Sequence, residues 1–235
     1  MGNIRLKDPK VATLKTHTGA KRRGKLAPLL LLALLACGGR TAENSGQPVP
    51  PSVPARPLYT AALAGEKVSV LPLTMILAEP PLNTEAPFLD RITALRWADT
   101  LIRYALENRA PDVSWVFPED LRAIARRAPM VAPDPDKMGQ SVMAAPRLDF
   151  MPDPLRSYSR SLVAIAGGRH LFIPASVSFF RAPSGGVRVE LSIVMADVRN
   201  GQVTWRTLAV GEGATPAAAV AAALHDMLPL PTGSQ

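Results

Sequence analysis

Between Leu171 and Val210 the chain carries three runs of strand character in series, joined by connections too short for anything but antiparallel neighbours. Leu171, Ile173, Ala175, Val177 and Phe179 fall at every second position, and so do Val187, Val189, Leu191, Ile193 and Met195; Gln202–Val210 follows. Recurrence at every second residue is the mark of a strand with one face against a core. Pro183-Ser184-Gly185-Gly186 joins the first two runs, and Arg199-Asn200-Gly201 joins the second to the third. Asn-Gly is the strongest short-range hairpin signal, because both central residues of a type I′ turn need positive φ. The three runs therefore predict an antiparallel meander with one buried face. Pro174 has no N–H for a ladder, so its strand is expected at a sheet edge or with a bulge.

Helical periodicity flanks this meander. From Phe88 to Asn108 apolar residues fall at Leu89, Ile92, Leu95, Ala98, Leu101, Ile102 and Ala105, the spacing of one helix face. Pro118-Glu119-Asp120 opens a second helix through Leu121 and Ile124, with proline in the first turn and acids at the positive end. A third helix is expected from Pro154 to Ala166, ending at Gly167-Gly168, and a fourth from Thr215-Pro216 to Leu228. Short strands are expected at Lys67–Leu71, closed by Pro72, and at Val113–Phe117. The order is β-α-β-α-α-β-β-β-α. This is an α+β fold whose mixed, mainly antiparallel sheet packs with about four helices. Between the second and third helices, Pro129–Asp153 is a long proline-rich loop, and loops of that length are often functional or mobile.

The amino-terminal part has a different character. Lys21, Arg22, Arg23 and Lys25 precede an apolar run, Leu26 to Ala36, interrupted only by Pro28 and stopping at Cys37. A cationic region, a short apolar core and small residues at the cut mark a secretory signal. As a helix the run would span roughly 17 Å, too short for a ~30 Å hydrocarbon core. Leu34-Leu35-Ala36-Cys37 resembles a bacterial lipobox, which implies acylation (palmitate among the chains) of Cys37 and cleavage before it. Gly38 rather than aspartate after the cysteine implies outer-membrane sorting. The expected organisation is a leader over 1–36, a lipidated and proline-rich tether over 37–64, a periplasmic domain over 65–229 and a tail over 230–235. The 25 residues before Leu26 make a long cationic region, so translation starting downstream of Met1 is an alternative.

Charge narrows the function classes. The first 36 residues hold eight of the 27 Lys and Arg and one of the 19 Asp and Glu, leaving 19 basic and 18 acidic residues beyond them. A nearly neutral chain has no general electrostatic attraction to phosphate backbones, so nucleic acid is excluded as a partner. Cys37 is the only cysteine. Once it carries lipid, neither a disulfide nor a thiolate ligand is available, and the domain must be held by apolar burial.

No catalytic constellation emerges. His17 lies in the leader, His170 opens a strand, and His225 sits near the end of the last helix, where the helix dipole explains it. No H-E-x-x-H pattern or G-x-S-x-G elbow is present, and Ser157, Ser159 and Ser161 read as solvated helix positions. Asp134 and Asp136 read as turn formers, since a calcium loop needs more oxygen ligands. No metal, cofactor or enzymatic activity is expected. Met130, Met138, Met143 and Met151, all within the long loop, are the candidate partner-binding residues, because methionine adapts to varied surfaces. The same four could instead fill gaps against the sheet. Their 8-5-8 spacing suits no regular metal cluster.

Several segments together resemble a known group of modules. These are the strand ending in Leu71-Pro72, the long helix after it and the Val116-Phe117-Pro118-Glu119-Asp120-Leu121 turn. To them are added Leu162–Arg169 leading into a strand and the Asp197–Trp205 hairpin. The group includes the TolB amino-terminal domain, the curli secretion lipoprotein CsgG and the peptidoglycan-synthase activator LpoB, and the likeness runs from about Lys67 to Leu228. It implies an outer-membrane lipoprotein that acts as a periplasmic adaptor or scaffold on an envelope assembly or peptidoglycan-synthesis machine. Its partners would be the membrane, through the lipid, and an envelope protein, with homo-oligomerisation possible. The alternative is a subunit of a curli-type secretion channel.

Overall fold

The computed structural model of the protein describes residues 56–230. Lipobox residues Leu34, Leu35 and Ala36, lipidation residue Cys37, the leader and most of the tether lie outside the described residues, as do residues 231–235. The described part is α+β. Its strands are β1 (Lys67–Val70), β2 (Ile76–Ala78), β3 (Ser114–Val116), β4 (His170–Arg181), β5 (Val187–Asp197) and β6 (Val203–Gly213). The helices are α1 (Arg91–Arg109), α2 (Pro118–Arg127), α3 (Leu155–Ala166) and α4 (Pro216–Met227). All six strands form one sheet in the order β3-β1-β4-β5-β6, with β2 also paired to β4. The ladders β1–β3, β1–β4 and β2–β4 are short and parallel, whereas β4–β5 and β5–β6 are long and antiparallel. The expected meander is therefore present, and β2 is an additional strand. With three residues, β2 is too short for alternation to reveal it.

Pro174 falls in the centre of the sheet, on β4, and a bulge rather than an edge accommodates it. Register against β5 shifts between Pro174 and Ser176. On the other side of β4, β1 pairs with His170–Phe172 and β2 with Val177–Phe179, so Pro174 lies in the gap between them. The bulge also changes which way the side chains point. Leu171, Ile173 and Ala175 belong to one core, while Val177 and Phe179 belong to the other. An added residue inverts a period-two pattern, so one unbroken run in the sequence serves both faces. The single buried face expected of the meander is thus two buried faces over the first half of β4.

The sheet separates two helical layers. On one face α1 brings Ala98, Ile102 and Leu106, and α4 brings Val220, Ala223 and Leu224, against Phe172, Phe179, Leu191 and Ile193. On the other, Leu121 of α2 and Leu155, Leu162 and Val163 of α3 pack on Leu171, Ile173 and Val194. Asp90 caps α1 by accepting the Thr93 N–H at 2.8 Å, and Thr215 caps α4 through Ala218 at 3.2 Å, as side-chain oxygens at helix starts do. After α3 the chain turns through Gly168 at φ +96°, where an added Cβ would lie 2.2 Å from the Lys67 carbonyl oxygen, so only glycine fits.

The start of the packed unit and the interior of the long loop both carry structure that the sequence reading does not assign. Leu58 and Leu63 are buried, the Leu58 N–H donates to the Met227 carbonyl, and Trp205 Nε1 donates to the Pro57 carbonyl. The packed unit thus takes in the last residues of the stretch assigned to the tether. Pro129–Asp153 contains two short 3-10 helices, Pro135–Lys137 and Gln140–Ala144, and Phe150 bridges to Gln202 beside β6. Gln140 is fully buried and donates to the Pro72 and Pro135 carbonyls at 2.9 Å, and Arg206 holds the loop through the Ala145 and Leu148 carbonyls. Arg206 of β6 and the loop's own Gln140 thus satisfy several of the loop's carbonyls without a long regular element.

Candidate functional site

At the carboxyl end of β1 the chain leaves the sheet through Leu71–Thr74, and the connections from β1 and β3 lead to helices on opposite faces. Crevices form at such points in sheets with parallel strands. Here α1, α2 and the Pro129–Ser141 stretch enclose an open cleft of about 910 Å³. Leu73 and Thr74 line it from the strand end; Arg91, Ile92, Leu95 and Arg96 from α1; Arg122, Ala125 and Arg126 from α2; and Pro129, Asp134, Asp136 and Lys137 from the loop.

Its base is a polar network. Asp99 of α1, 5 % exposed, accepts the Leu73 N–H at 2.8 Å and meets Arg122 of α2 at 3.3 Å. Arg122 also donates to both oxygens of Asp136, at 2.9 and 2.8 Å, and Asp134 bends the loop by accepting the Asp136 N–H at 3.1 Å. Desolvation pushes the Asp99 carboxyl up to about 6, against the lowering effects of the Leu73 N–H and Arg122. Arg122 is held still more firmly protonated, chiefly by its hydrogen bonds to Asp136. Lys137 pairs with Asp134 at 3.2 Å.

The rim is different. Arg91 donates to the Thr74 carbonyl at 2.7 Å, but neither Arg96 nor Arg126 has a carboxylate partner among the described residues. Beside them Ile92 is 62 % exposed. Just beyond Pro129, Met130 and Val131 are exposed as well. Asp136 and Asp134 are engaged by Arg122 and Lys137, and Asp90 acts on Arg96 only at a distance, so the open wall carries guanidinium groups without a direct ion pair next to apolar surface. Guanidinium groups stay protonated and present planar donors suited to carboxylates.

The four methionines do not form one surface. Met138, Met143 and Met151 are buried in the core beneath α2 and α3, where they act as packing residues, and only Met130, 95 % exposed, faces solvent. The reason is local: the loop folds back onto β4, and flexible thioether side chains fill the irregular space below it. Elsewhere, Ser157 is exposed and donates to Asp153, whereas Ser159, read as solvated, is fully buried in α3. His170 is half-buried with no hydrogen-bond partner for Nδ1, and exposed His225 lies 3.3 Å from Asp226. Among the described residues no group of three metal-ligating side chains comes together, and no helix is long and apolar enough to cross a membrane.

Of the charged residues that build the cleft, only Asp134 and Asp136 stand out in the sequence, and there as turn formers. One signal was there: Arg122 and Arg126 are four apart on a helix and so share a face. Nothing local places α1 opposite them.

No protein-family model and no curated protein matches the chain. Among solved structures it is similar to the C-terminal domain of LpoB from Salmonella enterica, at 14% identity over 64% of this chain and 84% of that one, with a TM-score of 0.40. It is similar to PelC, crystallised as a dodecamer, from Paraburkholderia phytofirmans, at 16% identity over 75% and 92%, with a TM-score of 0.38. A third similar structure is the lipoprotein GNA1162 from Neisseria meningitidis, at 13% identity over 63% and 81%, with a TM-score of 0.31.

Proposed function

We propose that this chain is an outer-membrane lipoprotein, tethered through Cys37, whose α+β domain serves as a non-catalytic periplasmic adaptor, with the α1–α2 cleft as the surface that docks onto an envelope protein. The observation that carries the reading is the combination in that cleft of unpaired Arg96 and Arg126 with the exposed side chain of Ile92. Exposed apolar surface bordered by uncompensated charge is what interaction sites present before a partner covers them. The cleft wall holds guanidiniums, the Lys137 ammonium, paired carboxylates, Thr74, Ser141 and apolar carbons, a mixture suited to recognising a partner's polar surface. The lipobox-like Leu34-Leu35-Ala36-Cys37 and the proline-rich stretch after it support a domain held at reach from a membrane.

The test is a photo-crosslinking residue placed at Ile92 in the full lipidated chain in cells, compared with one at Glu212 in the β6 strand. Crosslinks from Ile92 to one envelope protein, weakened by Cys37→Ser, are the expected result. Equal crosslinking from both positions, or none from Ile92, would discard the cleft as the docking surface. Crosslinks solely to other copies of the chain would favour a ring or channel subunit instead.

A further inference from the structure

Resting on the docking role of the cleft, we infer the chemistry of what it takes: an extended acidic segment of the partner protein, with its carboxylates on Arg96 and Arg126 and an apolar side chain against Ile92. The argument is one of charge complementarity. Within the cleft every carboxylate already has a cation: Asp99 and Asp136 share Arg122, and Asp134 holds Lys137. What is left over is positive and comes from two different helices: Arg96 on α1, with Arg91 beside it bonded to the uncharged Thr74 carbonyl, and Arg126 on α2. A ligand that satisfies both has to meet side chains from two helices across an open cleft of about 910 Å³. A chain bearing spaced carboxylates can do so, and each carboxylate can accept two parallel N–H bonds from a guanidinium.

The shape of the site favours a peptide over a lipid surface. The arginines line a concavity, whereas a membrane headgroup layer needs a convex or flat basic face.

The experiment uses the full mature chain in detergent and a fluorescent hexapeptide that alternates glutamate with leucine, with two counterparts carrying glutamine or lysine in place of glutamate. The expected result is binding of the acidic peptide at least tenfold tighter than the glutamine form, and a loss of at least tenfold in the Arg96→Glu/Arg126→Glu chain. The lysine form should bind that double variant in preference to the native chain. Both substituted residues are exposed, so an unchanged melting temperature shows that the variant is folded. Equal binding of the acidic and glutamine peptides would overturn the acidic-segment inference while leaving the cleft a docking surface. So would no binding of any peptide, with crosslinking from Ile92 intact. Binding to phosphatidylglycerol vesicles through the same two arginines, without peptide binding, would overturn it in favour of a lipid.

Discussion

Asp99 accepts the backbone N–H of Leu73 at 2.8 Å, so a buried carboxylate on the first helix holds the end of the first strand. Twenty-six residues separate the two in sequence. The bond sets the floor of the cleft, because the same carboxylate receives Arg122 from α2.

This arrangement makes stability depend on pH in a defined direction. Burial raises the Asp99 carboxyl to about 6 in the fold from 3.8 when exposed to water, so the folded state binds the extra proton between those values. Stability therefore falls as pH rises from about 4 to 6, by at most ~3 kcal/mol from this group. Asp99→Asn keeps an oxygen for the Leu73 N–H and has no proton to lose. Urea midpoints measured at pH 4.5 and 6.5 should show a smaller decline in Asp99→Asn than in the native chain; identical declines would exclude Asp99 as the source. Asp99→Ala strands a buried N–H and should cost ~1–3 kcal/mol at either pH.

The opposite sign is expected at Asp197. It accepts from Arg169 Nε at 2.7 Å and from the Arg199 N–H at 2.9 Å, and these bonds, Arg169 first, hold its carboxyl below the usual value. Its contribution is present above the unfolded value near 3.9 and is lost as pH falls through the lower folded one. Asp197→Asn should thus destabilise the protein at pH 7 and progressively less below pH 4, read from thermal melts across that range.

Helix α4 lies unusually close to β6. A Cβ at Gly211 would stand 2.3 Å from the Ala219 carbonyl oxygen and 2.4 Å from the Ala223 nitrogen, both backbone atoms that cannot step aside alone. Gly211→Ala is expected to cost about 3 kcal/mol, the upper part of the range for over-packing. Ala221→Ser, on the exposed side of the same helix, should stay within ~0.5 kcal/mol. Equal unfolding midpoints for the two variants would contradict the packing.

The methionines separate in the same way. Met143 is fully buried against the β4 face, so Met143→Ala should cost about 2–5 kcal/mol, whereas Met130→Ala should change stability by less than ~0.5 kcal/mol. Denaturant titration of the two variants checks this.

Much of the fold is legible in the chain. The meander, the Asn200-Gly201 hairpin and four helices close to their observed limits follow from period, turn residues and capping, all of which are interactions between near neighbours. The cleft was not legible. Arg96 and Arg126 are ordinary exposed residues on two amphipathic helices, and their meaning depends on α1 and α2 meeting beyond the end of β1.

By itself, then, the sequence determined where strands and helices form and that the surplus positive charge of the chain sits before Cys37. Those properties depend on side-chain periodicity and composition, which need no distant partner. Tertiary structure alone decided that Leu171 and Val177 face different cores, that Met138, Met143 and Met151 turn inward, and that two unpaired arginines share one cleft. The physical reason is that a bulge at Pro174–Ser176 reverses the parity on which alternation is read, and that burial is settled by which surfaces meet once the sheet has closed.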